Sequence, residues 1–183
     1  MPTPVTPAKV IDAVRKSPGT RVKVACSDID GILRGKYMHK DKFVSSVEGG
    51  FGFCDVVFGW DSQDVCYDNT TITGWHKGFP DALARIDIGT HRNVPWDDDV
   101  DFFLAEFVVR KDGRDEPFPL DGRQVLKRVL KRAEKLGVVP MAPASRRAWA
   151  RAWAGPATAS CAKKASGRSS AFRQWPTTMP RPT

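Results

Sequence analysis

Apolar residues recur at helical spacing in two segments, one near the start of the chain and one after residue 120. Thr6 and Pro7 suit a helix N-terminus, and one face then carries Val10, Ile11 and Val14. A longer apolar stripe begins after Asp121, which suits an N-cap, and ends before Gly137, which suits the C-terminal end of a helix. That stripe consists of Val125, Leu126, Val129, Leu130, Ala133 and Leu136. The pattern predicts a short opening helix and a longer amphipathic helix over residues 121–136.

Between these helices, the apolar and polar residues alternate with the period of two that is typical of strands. The predicted strands cover residues 21–27, 32–38, 85–88 and 100–109. The first two flank Asp28-Ile29-Asp30-Gly31, whose turn-forming residues predict a hairpin. Residues 41–47 are predicted to be helical or irregular. The fold class predicted from the whole pattern is α+β, with packing helices beside the strands.

The charge of the chain is concentrated at its C-terminal end. The 183 residues contain 29 Lys and Arg against 21 Asp and Glu, a formal net charge of +8. Residues 1–140 hold 21 of each sign, whereas residues 141–183 hold eight basic residues, no acid and no Ile, Leu or Val. We therefore divide the chain into a helical segment (1–20), a sheet domain (21–120), a helix (121–140) and a basic tail that we expect to be irregular or disordered.

The N-terminus and the hydropathy of the chain bear on its compartment. No segment approaches the roughly 20 apolar residues of a transmembrane helix, and no basic stretch precedes an apolar one as in a secretory signal. We therefore expect a soluble, cytoplasmic protein with no membrane partner.

Asp28 and Asp30 stand two residues apart where the first predicted strand ends. The sequence Asp-x-Asp-Gly resembles the nucleophile loop of haloacid-dehalogenase-type phosphatases, in which one Asp attacks phosphorus and the other carries the proton. Ile32 departs from that family's pattern, which has Thr, and a strand follows instead of a helix. A turn rich in Asp and Gly is the favoured interpretation, and a phosphatase that uses these two residues is an alternative.

Residues 49–68 form a run rich in glycine, aromatic residues and acids. By itself this run describes a flexible loop that presents carboxylates beside planar apolar groups. Its place in an ordered series resembles the N-terminal domain of the glutamine synthetase family, and most closely the branch that includes γ-glutamyl-polyamine ligases. The series consists of residues 27–36, 52–61, 78–85, 94–96 and 119–126. The resemblance covers about residues 20–140, with Gly122 where the family usually has Pro.

The resemblance implies a β-grasp domain that packs against the catalytic domain of a neighbouring subunit in a homo-oligomeric ring. In the family, this domain lends an acidic loop to the ammonium site of that neighbour. Matching the run Phe-Cys-Asp-Val-Val-Phe-Gly-Trp to the loop places Asp55 on the lent aspartate, with Asp61 as second candidate. A carboxylate there favours ammonium binding and helps to remove a proton, so that a neutral amine attacks an acyl phosphate.

The resemblance also implies ATP and Mg²⁺ or Mn²⁺ for a full-length ligase, which holds its metals on a Gly-x-Glu-x-Glu strand after the helix. No such residues follow Pro140, and residues 141–183 have no carboxylate side chain. We therefore expect no cofactor or metal in this chain and no activity from it alone. We interpret the tail as the out-of-frame end of a truncated gene, because the codons for residues 142–146, read from the third base, can spell Ala-Gly-Ile-Glu.

A nucleic-acid-binding tail is the second alternative. Trp149, Trp153 and Trp175 lie among arginines, and such residues can stack on the bases of a single strand. The basic side chains of the helix at residues 121–140 could also bind nucleic acid, although a solvated face is the favoured interpretation. Nucleic acid is not the partner we favour, because the part of the chain with fold-forming sequence is balanced in charge.

Overall fold

Three α-helices and six strands make up residues 6–140, which are the residues that the computed structural model describes. Two short 3-10 helices, Asp55–Phe58 and Trp75–Lys77, lie between the third and fourth strands. The elements are α1 (Pro7–Lys16), β1 (Arg21–Ser27), β2 (Leu33–His39), α2 (Lys40–Gly49), β3 (Phe51–Cys54), β4 (Asp81–Val94), β5 (Val100–Lys111), β6 (Arg114–Pro117) and α3 (Gly122–Lys135).

The strands form a mixed sheet in the order β2-β1-β5-β4-β3, with β6 paired to β5. Strands β1 and β5 run parallel at the centre, whereas the other pairs are antiparallel. Helix α2 connects the first hairpin to the strands on the other side of β5. This arrangement confirms the predicted α+β class with a β-grasp-like mixed sheet and packing helices.

The predicted hairpin is present as β1 and β2, which pair from Arg21 opposite His39 to Ser27 opposite Leu33. The turn between them is built on Asp28, whose Oδ1 accepts hydrogen bonds from the backbone N–H groups of Asp30 at 3.0 Å and Ile32 at 2.8 Å. An aspartate that caps its own turn in this way fixes the strand register.

The main core lies on one face of the sheet, beneath α1, α2 and the first 3-10 helix. Phe43 of α2 and Phe103 of β5 are fully buried, with ring centroids 4.6 Å apart. Val10 and Val14 of α1 belong to the same cluster, so the opening helix shares the core of the sheet. Burying such side chains is the main stabilising contribution in a unit of this size.

Helix α3 forms as predicted and has the expected ends. The Asp121 carboxylate accepts from the Gln124 N–H at 2.9 Å and from the Phe107 N–H at 2.7 Å, and Gly137 ends the helix with a φ of 71°. None of its residues is buried, and Leu126 and Val129 are 56% and 54% exposed. The apolar stripe that predicts the helix is thus left open to solvent in the described part of the chain.

The polar side of α3 contacts the sheet instead. Arg123 donates to Glu106 at 2.6 Å and to Asp87 at 2.5 Å, and Gln124 donates to Glu106 at 2.7 Å. Lys127 forms ion pairs with the same two acids. Partial burial acts to raise the pKa of Asp87, but the hydrogen bond from Arg123 and the charge of Lys127 outweigh it, so that pKa is lowered.

Several predictions concern residues 141–183, which lie outside the described residues, as do residues 1–5. The low-order basic tail, its out-of-frame origin and its nucleic-acid-binding alternative therefore stay predictions, and so does the division into segments. Among residues 6–140, none of the helices has the length and apolar character needed to cross a membrane.

Candidate functional site

Residues 49–68, the run rich in glycine, aromatic residues and acids, begin with ordered structure. Strand β3 pairs with β4 from Phe51 opposite Ala84 to Cys54 opposite Asp81, and all four residues of the 3-10 helix Asp55–Phe58 are buried. The Phe58 ring lies 4.7 Å from that of Phe107. The segment predicted to be a flexible loop is therefore fastened to the core at its start, because Val56, Val57 and Phe58 are apolar.

Asp55, the first candidate residue, lies inside this segment with only 8% of its surface exposed. The Thr73 hydroxyl donates to its Oδ1 at 2.6 Å, and its backbone N–H donates to the Pro80 carbonyl at 3.0 Å. Burial raises the pKa of Asp55, although the Thr73 hydrogen bond and the charge of Lys77 act in the opposite direction. The carboxylate thus ties the start of the loop to its end.

Asp61, the second candidate, closes a tight turn nearer to the surface. Its Oδ1 accepts from the backbone N–H groups of Gln63 at 2.8 Å and Val65 at 3.0 Å. The residue is half-buried, whereas Asp55 is buried. Each candidate carboxylate has its own hydrogen-bond partners, and Asp61 is the more accessible of the two.

Arg34 links the loop to the hairpin, and the sequence analysis did not single it out. Its Nε donates to Asp28 at 2.8 Å, and it also forms an ion pair with Asp64. The guanidinium lies 4.6 Å from the ring centroid of Trp60. The side chains of Asp28, Asp64 and Arg34 are 0%, 3% and 11% exposed, so their charges are stable only because they are paired.

The same contacts bear on the phosphatase alternative. The Asp28 carboxylate accepts two backbone N–H groups and Arg34, and the residue is 2% exposed. Burial raises the pKa of Asp28, against the effect of Arg34 and the two N–H groups. A nucleophile must reach its substrate, and this carboxylate is enclosed in structural bonds. The geometry does not fit the pair Asp28 and Asp30 as phosphatase residues.

We tested whether the described residues fit a divalent metal. In the range 6–140, no three His, Cys, Asp or Glu side chains are grouped so as to hold one. The buried acids of the loop and the hairpin turn already have partners, because Asp28 and Asp64 pair with Arg34 and Asp55 accepts from Thr73. Metal-assisted phosphoryl transfer needs clustered free carboxylates. These described residues therefore do not fit Mg²⁺ or Mn²⁺.

Sequence comparison identifies relatives of the folded part, although no protein-family model matches the chain. Type-1 glutamine synthetase 2 of Dictyostelium discoideum is 48% identical over 126 residues, which cover 69% of this chain and 24% of that protein. Glutamate–isopropylamine ligase of a Pseudomonas species is 32% identical over 130 residues, or 70% of this chain and 28% of the ligase. The chain thus spans about a quarter of the length of these curated relatives.

Solved structures share the fold at low sequence identity. A crystal structure of a glutamine synthase homologue matches with a TM-score of 0.52 and 22% identity, covering 74% of this chain and 35% of that one. Plasmodium falciparum glutamine synthetase matches with a TM-score of 0.50 and 14% identity, covering 73% and 23%. The fold is that of an N-terminal domain of glutamine-synthetase type. Together with the sequence matches, it shows that the chain belongs to the glutamine synthetase family.

Proposed function

We propose that residues 6–140 serve as the N-terminal domain of an ATP-dependent glutamate–ammonia or glutamate–amine ligase. The observation that carries the proposal is the 48% identity with a type-1 glutamine synthetase over 126 residues. The reaction of the whole enzyme would activate the γ-carboxylate of glutamate with ATP in the presence of Mg²⁺ or Mn²⁺. Ammonia or an amine would then displace the phosphate, which makes the reaction a step of nitrogen metabolism.

Within that reaction, the domain would lend its acidic loop to the ammonium site of a neighbouring subunit in a homo-oligomeric ring. Asp61 supports this role because its carboxylate is half-buried at the surface and is held in place by two backbone N–H groups. A fixed negative charge stabilises a bound ammonium ion, and the carboxylate can itself accept the proton that the ammonium loses when it becomes a neutral amine. Asp55 is the second carboxylate of the loop, and its bond to Thr73 holds the loop in shape.

A domain exchange tests the proposal. The matching segment of the Dictyostelium protein is replaced by that of this chain, and glutamine formation from glutamate, ammonium and Mg-ATP is measured. We expect an active chimera, and Asp61→Asn should lower its kcat/KM for ammonium by about tenfold or more, since a preorganised charge is lost. Asp55→Asn is measured in parallel. The whole 183-residue chain is assayed alone and should form no product.

Asp112→Asn is the matched control. Asp112 is exposed in the turn between β5 and β6 and has a φ of 50°, which Asn also adopts readily, so this change should leave activity unaltered. An assembled chimera without activity would contradict the proposed domain function. An active chimera in which neither Asn variant differs from the control in kcat/KM for ammonium would disprove the proposed role of the loop. Ligase activity of the chain alone would disprove its predicted inactivity.

A further inference from the structure

The candidate carboxylate Asp61 belongs to a tight turn, residues 61–65, which we call the Asp61 turn. Its five residues include one apolar side chain, Val65, which is 57% exposed. Inside the turn, the Asp61 N–H donates to the Val65 carbonyl and the Asp64 N–H donates to the Asp61 carbonyl, each at 3.1 Å. Hydrophobic packing of these residues therefore does little to fix the turn against the rest of the domain.

Asp64 is the buried member of the turn, and its backbone is unusual. Its φ of 62° lies in the left-handed region, which non-glycine residues seldom adopt unless the surrounding structure holds them there. Its side chain is 3% exposed and forms an ion pair with Arg34. A buried carboxylate is stable only when it is paired, so the position of the Arg34 guanidinium helps to determine where Asp64 and the turn lie.

Arg34 connects the Asp61 turn to the hairpin of β1 and β2. Its Nη2 donates to the Asp61 carbonyl at 3.4 Å. Its guanidinium lies 4.6 Å from the ring centroid of Trp60, which directly precedes the turn and is 5% exposed. On the other side, its Nε donates at 2.8 Å to Asp28, which accepts from two backbone N–H groups of the hairpin turn. A continuous series of contacts thus runs from the hairpin to the backbone of Asp61.

The same contacts leave Arg34 little access to a substrate. Its side chain is 11% exposed. Its N–H groups donate to two carboxylates and a carbonyl, and the ring of Trp60 lies against its face. A planar fork of donors can hold two carboxylates at once, which the single ammonium of lysine does less well. Arg34 is therefore suited to position other groups, and it is not placed to contact the reactants itself.

We propose that Arg34 is a positioning residue for the ligase reaction, which holds the Asp61 turn on the hairpin so that the Asp61 carboxylate is presented to the ammonium ion in one orientation. The inference rests on the function proposed above, in which Asp61 is the carboxylate lent to a neighbouring subunit. A charge that is fixed before the substrate binds stabilises it more than one that has to be ordered at that moment. Displacing such a group by about 1 Å costs up to about 100-fold in rate.

Arg34→Lys in the active chimera tests the proposal, because it keeps a positive charge beside the two buried acids and loses the fork. We expect kcat/KM for ammonium to fall by about threefold to tenfold through a higher KM for ammonium, with KM for Mg-ATP unchanged. Arg85→Lys is the matched control. Arg85 also binds a carboxylate and a carbonyl, those of Asp115 in β6 and Glu48 in α2, and its replacement should leave both KM values unaltered.

Combination with Asp61→Asn separates positioning from a general structural role. If Arg34 acts through Asp61, Arg34→Lys should lower kcat/KM for ammonium no further in a chimera that already carries Asp61→Asn. An equal loss in both backgrounds overturns the proposal. An Asp61→Asn chimera with unaltered kcat/KM for ammonium overturns it as well, while the proposed function of the domain stands.

Asp64→Asn is the second variant, in case Arg34→Lys does not assemble. Asparagine also adopts the left-handed backbone readily, so the change removes the charge of the ion pair and keeps the shape of the turn compatible with the sequence. We expect the same loss in kcat/KM for ammonium and the same absence of a further loss beside Asp61→Asn. An assembled Asp64→Asn chimera with full kcat/KM for ammonium overturns the proposal.

The full 183-residue chain offers a readout that needs no catalysis. Nitrogen-15 relaxation should give backbone order parameters of about 0.85 in the Asp61 turn of the unaltered chain and about 0.6 or less in Arg34→Lys and Asp64→Asn, with β5 unchanged. Unchanged order parameters in both variants overturn the proposal. An inactive chimera contradicts the proposed function instead, and the order parameters then still decide whether Arg34 holds the turn.

Discussion

Helices α2 and α3 are both amphipathic, yet opposite sides of them contact the sheet. In α2, Phe43 enters the core and is fully buried. In α3, which carries the longer apolar stripe, Arg123, Gln124 and Lys127 contact the sheet and the stripe stays exposed. Amphipathic periodicity thus predicts that a helix forms and which side is apolar. It does not predict whether the residues that pack on the apolar side belong to the same folded unit.

The two modes of attachment respond to different conditions. Apolar burial is insensitive to pH and salt, whereas ion pairs at partly exposed side chains weaken when salt screens them or acid neutralises the carboxylates. The Asp87 and Glu106 pairs with α3 have side chains between 10% and 42% exposed. We therefore expect α3 to detach under conditions in which α2 stays in place.

The largest effect should come from a comparison in which one apolar side chain of each helix is truncated to alanine. Phe43→Ala empties a fully buried position and should lower the free energy of unfolding by about 3–5 kcal/mol. Leu126→Ala, at a side chain that is 56% exposed, should cost less than about 1 kcal/mol. Urea unfolding at low protein concentration measures both. Equal costs would mean that the apolar stripe of α3 is covered within the folded monomer.

A somewhat smaller effect is expected at the charge cluster behind the loop. Arg34→Met should lower the free energy of unfolding by about 3 kcal/mol at pH 7, because it removes the guanidinium that Asp28 and Asp64 share while both carboxylates stay buried. Arg128→Met, on the exposed side of α3, is the matched control and should change stability by about 0.5 kcal/mol at most. The loss of stability caused by Arg34→Met should shrink as the pH falls, because burial raises the pKa of Asp28 and its carboxylate is then protonated. A deficit that does not depend on pH would contradict the charge explanation.

The smallest effect concerns the attachment of α3 alone. Asp87 has a lowered pKa in the folded state, so its contribution is complete above the unfolded value of about 3.9 and is lost as the pH falls through the folded value. Arg123→Met should have a similar local effect at pH 7, of about 1 kcal/mol. Amide hydrogen exchange should accelerate in α3 and stay unchanged in α2. Uniform acceleration in both helices would show that α3 is not attached independently.

Local signals in the sequence predicted much of the fold. The hairpin follows from the alternation around Asp28 and Gly31, and α3 follows from its Asp121 cap and Gly137 stop. Strand β4 extends well beyond the predicted residues 85–88, because its polar ends are paired in the sheet as well. Backbone pairing of polar residues leaves no trace in an alternating pattern.

The site was less accessible to sequence reasoning. The run Val56-Val57-Phe58 is an apolar signal that could have indicated an anchored segment in place of a flexible loop. Arg34 contacts Asp64, which lies 30 residues further along the chain, and Asp55 contacts Thr73, which lies 18 residues further along. Neither separation corresponds to the repeat of a helix or a strand. Contacts of this kind arise only when the chain has folded, so local patterns do not reveal them.

The ion pairs that hold α3 also fix its direction before anything covers it. With Arg123 and Lys127 bound to Asp87 and Glu106, the helix has already lost most of its freedom to swing. Whatever covers the apolar stripe of α3 then meets a preorganised surface and does not have to order it. Association becomes tighter for the same contact area, at the cost of leaving apolar side chains in water until the partner arrives.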